Sequence, residues 1–95
     1  MENQDQNGIS FAGFVISLAT TAAVHFGDVA EPDSGRRAEP NLPAAAQMIE
    51  IIAMLQEKTR GNLSEPEAKL VDDLLYELRL RFVQAQQGER RIVEP

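Results

Sequence analysis

Cysteine and tryptophan are absent from the 95 residues, histidine and tyrosine occur once each, and basic residues are outnumbered 9 to 15 by acidic ones. Without cysteine there is no disulfide framework, no thiolate metal site and no thiol nucleophile. A Cys-free chain suits a reducing compartment, and a cytoplasmic setting is expected. The shortage of positive charge leaves a net charge of −6. Such a surface repels phosphate backbones, and Arg36-Arg37 and Arg90-Arg91 are scattered pairs rather than a stripe, so no nucleic-acid partner is expected. At this length a monomer buries only roughly 60–65% of its unfolded surface, which makes association with a second copy an early expectation.

Long apolar stretches are scarce too, with one exception. From Ile9 to Phe26 there is no Asp, Glu, Lys or Arg. A secretory signal needs a positive stretch before its apolar core, and residues 1–10 carry Glu2 and Asp5 but no base. As a helix the run rises roughly 27 Å against a hydrocarbon core of about 30 Å. Gly13, Ser17, Thr20, Thr21 and His25 dilute it further. A spanning helix is therefore not expected, and contact with a membrane surface is the lesser alternative.

Local signals divide the chain into a polar, disordered tail at 1–9, one helical domain at 10–88 and a second tail at 89–95. Ser10 can cap a first helix over 11–26, which Gly27 closes. Residues 28–41 read as a loop, with a turn at Pro32-Asp33-Ser34-Gly35. Asn41 as cap and Pro43 in the first turn open a second helix over 42–60, which stops at Gly61. Ser64-Glu65-Pro66-Glu67 is a capping box and opens a third helix over 65–87, ended by Gln84, Gln86, Gln87 and Gly88.

Val71, Leu75, Leu78, Phe82 and Ala85 make a coiled-coil-like seam on the third helix, and Tyr76, Leu80 and Val83 make a second apolar row. The short connection after Gly61 predicts that the second and third helices form an antiparallel hairpin. The first helix is apolar nearly all round and must be surrounded. Small residues recur along it at spacing four, as Gly13, Ser17, Thr21 and as Ala19, Ala23, Gly27. The expected architecture is all-α, with three helices and the first one buried in a homo-oligomer. Phe11, Gly13, Phe14, Ser17, Leu18, Ala19, Ala23 and Phe26 are the expected oligomer or partner interface.

Residues with chemistry to offer read more simply as structure. His25, near the end of the first helix, needs a positioned partner to act as a base, and a lone histidine closing an apolar helix usually packs or caps. Asp73 and Glu77 share a helical face, but Glu77 also stands in the favourable order for an ion pair with Arg81. Met48 and Met54 can line an adaptable groove, although at helical spacing they more often fill a core. Asp28, Glu31 and Asp33 lack the order of a calcium loop, and there is no phosphate-binding glycine loop and no helical histidine pair. No catalytic residue, no metal ligand, no cofactor and no enzymatic activity are expected.

Several words in the chain are distinctive: Phe11-x-x-Phe14-Val15-x-Ser17-Leu18-Ala19, His25-Phe26-Gly27, the stretch Met54-Leu55-Gln56-Glu57-Lys58-Thr59-Arg60-Gly61-Asn62-Leu63, and Leu74-Leu75-Tyr76-Glu77-Leu78-Arg79. Over roughly Phe11 to Val83 the chain resembles the bacterial domain of unknown function 1844 family. The resemblance implies a small cytosolic bacterial helical protein and brings no activity with it. Two functions are left: a non-enzymatic assembly or adaptor module, or a peripheral membrane protein anchored by its first helix.

Overall fold

The computed structural model describes the backbone of residues 9–93 and the side chains of residues 9–88. The tail expected at 1–9 lies, apart from Ile9, outside the described residues. Three helices, α1 (Phe11–Phe26), α2 (Leu42–Lys58) and α3 (Glu65–Val93), make up the regular structure, and no strand occurs among the described residues.

Each helix begins where a side chain takes over an orphan backbone donor. The Ser10 hydroxyl accepts from the Gly13 N–H at 3.0 Å, and the Asn41 carboxamide oxygen accepts from the Ala44 N–H at 3.1 Å. At α3 the exchange is reciprocal. The Ser64 N–H donates to Glu67 Oε1 at 2.9 Å, and the Glu67 N–H donates to Ser64 Oγ at 3.3 Å.

α1 ends in a Schellman motif. Gly27 adopts φ 84°, its N–H donates to the Val24 carbonyl at 2.9 Å, and the Asp28 N–H donates to the Ala23 carbonyl at 3.0 Å. The loop over 28–41 then folds back on that end. Ala38 carbonyl oxygen lies only 3.2 Å from where a Cβ on Gly27 would stand, and the Asn41 N–H donates to the His25 carbonyl at 2.7 Å.

Two boundaries differ from the sequence expectation. α2 stops at Lys58 instead of 60, because Thr59 turns its hydroxyl onto the Leu55 carbonyl at 2.7 Å and the Asn62 N–H closes a turn on the Thr59 carbonyl at 2.8 Å. α3 does not end at 87 but continues through Gly88 to Val93. A single helical glycine costs only about 1 kcal/mol relative to alanine, and the Gln, Glu and Arg around it are good helix formers.

All three helices feed one core. Val15, Ala22 and Phe26 come from α1, Leu42, Ala45, Ile49 and Ile52 from α2, and Val71, Leu75 and Leu78 from α3. Ala22 and Ala45 are wholly enclosed, and their small side chains let backbones approach. The most extensive helix pairing is α1 on α2. α2 also packs on α3, with Gln56 Nε2 donating to Asp72 Oδ1 at 2.6 Å near the connection. No charged or polar side chain is buried among the described residues.

Candidate interaction surfaces

α1 turns one side inward and leaves the other in water. Of its expected interface residues, Phe26 is only 3% exposed and belongs to the chain's own core, so it is not an outward contact. Phe11, Leu18 and Ala19 are half-buried and pack against that core, and Ala23 is half-buried. Gly13, Phe14 and Ser17 face solvent. The helix is therefore not surrounded on every side within one chain, which covers the half that carries Val15, Ala22 and Phe26.

The outward side of α1 has a defined make-up. Phe14, 52% exposed, and Ile16, 47% exposed, flank a strip of small residues, Gly13, Ser17, Thr20 and Thr21. The Ser17 hydroxyl donates to the Phe14 carbonyl at 2.6 Å, and the Thr21 hydroxyl donates to the Ser17 carbonyl at 3.0 Å. Both donors are thus satisfied within the helix, so another surface can cover them without leaving a donor unpaired.

A second exposed apolar row lies on α3. Tyr76, Leu80 and Val83 recur at steps of four and three and remain largely exposed. The sequence already separates this row from the Val71 seam, but α1 does not use it. α1 meets α3 on a different flank, where Arg81 grips Asp28 through Nε and Nη2 at 2.7 and 2.8 Å and stands 5.1 Å from the Phe26 ring centroid. That forked hydrogen bond holds the Asp28 carboxyl below its ordinary range and raises the Arg81 guanidinium. Between α2 and α3 beside the exposed row are two open depressions. One, about 480 Å³, is lined by Ile49, Ala53, Phe82 and Val83, and one, about 360 Å³, runs along Tyr76 and Leu80.

The residues weighed for chemistry are spread apart. Asp73 pairs with Lys69 at 2.9 Å, so the Asp73 and Glu77 face behaves as a solvated helix surface. His25 is half-buried at the end of α1 with its carbonyl taken by Asn41. Met48 packs against the core, whereas Met54 is 46% exposed. Among the described residues no three acidic or histidine side chains form a metal-holding group, and no helix is long and apolar enough to cross a membrane.

Comparison with known families agrees with the words noted in the sequence. The family model described as Domain of unknown function (DUF1844) matches residues 8–84. The chain belongs to the domain of unknown function 1844 family. No curated protein matches the sequence. No solved structure matches it either. In this member of the family the matched stretch takes in α1, α2 and α3 as far as Gln84, including both exposed apolar rows.

Proposed function

We propose that this protein is a non-enzymatic assembly or adaptor module of the bacterial cytoplasm, built on an antiparallel α2–α3 hairpin, that self-associates through the outward side of α1. The observation that carries the reading is the α1 surface itself. Two large apolar side chains, Phe14 and Ile16, border a strip of small residues whose hydroxyls at Ser17 and Thr21 are already satisfied. Small residues at spacing four let a second helix approach closely, and the flanking pair supplies apolar area to bury.

The hairpin is supported by the order of neighbours along α2 and α3. Gln56 meets Asp72 near the connection, while Ile49 and Ala53 share a depression with Phe82 and Val83 further along. The adaptor role is supported by the separation of surfaces, since the exposed apolar row on α3 lies apart from the outward side of α1.

Light scattering after size exclusion, without detergent, tests the reading. A discrete multiple of the 10.5 kDa chain is expected for the natural sequence. Phe14→Glu is expected to lower the mass to a smaller assembly or a single chain, whereas Gln47→Glu on the exposed side of α2 leaves it unchanged. A single-chain mass for the natural protein, or recovery only with membranes after a salt wash, overturns it.

A further inference from the structure

The α2–α3 side of the molecule carries a ridge beside a groove. The ridge is Tyr76, Leu80 and Val83, and the groove is the depression of about 480 Å³ floored by Ile49, Ala53 and Phe82. Two charges of opposite sign, Glu50 and Arg79, line that same depression. Neither takes part in a salt bridge among the described residues, although Lys69, Arg60 and Arg81 all do. Arg79 also lines the neighbouring depression along Tyr76 and Leu80, which places it between the two.

A surface with a ridge, an adjoining groove and, lining that groove, an acid and a base that are in no salt bridge among the described residues has the elements to pair with itself. In a two-fold interface every contact occurs twice, residue i of one copy on residue j of the other and the reverse. About a two-fold axis near Leu80 the ridges of the two copies lie side by side, each along the edge of the other's groove, and Arg79 of each reaches towards Glu50 of the other, giving two equivalent ion pairs. A second copy brings a matching ridge and both charges.

We propose that this face is a second self-association surface, on which two copies pack with their α3 helices antiparallel about a two-fold axis near Leu80. The proposal rests on the self-association put forward above but not on α1 as its surface. With two separate isologous faces, a chain assembles beyond a dimer, whereas with one it stops there.

The absence of cysteine gives a clean test. Leu80→Cys, Ser17→Cys and Gln47→Cys variants are treated at low concentration with a short bismaleimide, and helicity is checked by circular dichroism. The expected result is a covalent dimer from Leu80→Cys at least tenfold above Gln47→Cys. Crosslinking of Ser17→Cys alone overturns the α3 proposal and leaves the α1 reading standing. Crosslinking of Leu80→Cys alone does the opposite, and crosslinking of neither overturns both.

A charge swap reads the same interface without touching its apolar core. Arg79→Glu is expected to weaken the Leu80→Cys crosslink about tenfold, and adding Glu50→Arg to restore it. Loss without restoration in a variant of unchanged helicity overturns the pairing of these two residues across the axis.

Discussion

Arg81 on α3 and Asp28, just past the end of α1, form a forked ion pair across 53 positions of sequence, with the guanidinium also 5.1 Å from the Phe26 ring centroid. Few polar contacts link α1 to α3, and this one stands over the edge of the core. Both side chains remain more than one third exposed, so the ion pair is worth about 0.5–1 kcal/mol and the ring contact a similar amount. Arg81→Ala is expected to lower stability by about 1–2 kcal/mol in urea denaturation. Arg81→Lys is expected to recover less than half of that, because an ammonium lacks the planar fork. Equal stability of Arg81→Lys and the natural chain would dismiss the fork geometry.

The same pair sets an acid limb. Asp28 has its carboxyl held below the ordinary 3.8, chiefly by the hydrogen bond from Arg81. A carboxylate with a depressed folded value contributes stability that is fully present above its unfolded value and is lost as pH falls through the folded one. The stability gap between the natural chain and Asp28→Asn is therefore expected to be constant from neutral pH down to about 5 and to close below about 4. Denaturation midpoints measured at several pH values check this. A gap that survives at the acid end would assign the effect to something other than ionisation.

Two isoleucine and leucine positions contrast core with surface. Ile52 is wholly enclosed between the helices, and Leu80 is 44% exposed. Ile52→Ala is expected to cost about 2–5 kcal/mol, enough to unfold much of a domain this small. Leu80→Ala is expected to fall within about 0.5 kcal/mol when measured on dilute, dissociated protein. A large loss at Leu80 under those conditions would place it in the core of the single chain.

Glycines at two helix ends make a matched pair. Gly27 and Gly61 share nearly the same positive φ, 84° and 86°. A Cβ on Gly61 meets nothing within 4 Å, whereas one on Gly27 would press the Ala38 carbonyl at 3.2 Å. Gly61→Ala is expected to cost about 1 kcal/mol, the strain of the left-handed conformation alone. Gly27→Ala is expected to cost more, and thermal unfolding of the two variants side by side measures the difference.

Helix starts were legible because their signals are local. Ser10, Asn41 and the Ser64–Glu67 pair each act within a turn of where they stand, and the structure engages all of them. The far end of α3 was less legible, since Gly88 carries the same letter as Gly27, which closes α1, and Gly61, in the turn after α2, but lies within the helix. The facing of α1 was not legible at all. Apolar residues sit on several of its sides, and only the arrival of Ala45, Ile49 and Ile52 from α2 decides that Val15, Ala22 and Phe26 go inward and Phe14 and Ile16 stay out. The row at Tyr76, Leu80 and Val83 was visible as a pattern, but its lack of a partner within the chain depends on where α1 lies.

The hydrogen bond from the Asn41 N–H to the His25 carbonyl, at 2.7 Å, ties the loop shut at its neck. Inside it, a second closure runs from the Glu31 N–H to the Arg36 carbonyl at 2.9 Å, around Gly35, where a Cβ would meet nothing within 4 Å. The helices therefore sense the neck and not the tip. Lengthening a closed loop adds only about 0.6 kcal/mol per doubling, so an insertion beside Ser34 leaves the three-helix body fixed. That position is the natural place to graft a peptide tag or a fluorophore without disturbing either apolar face.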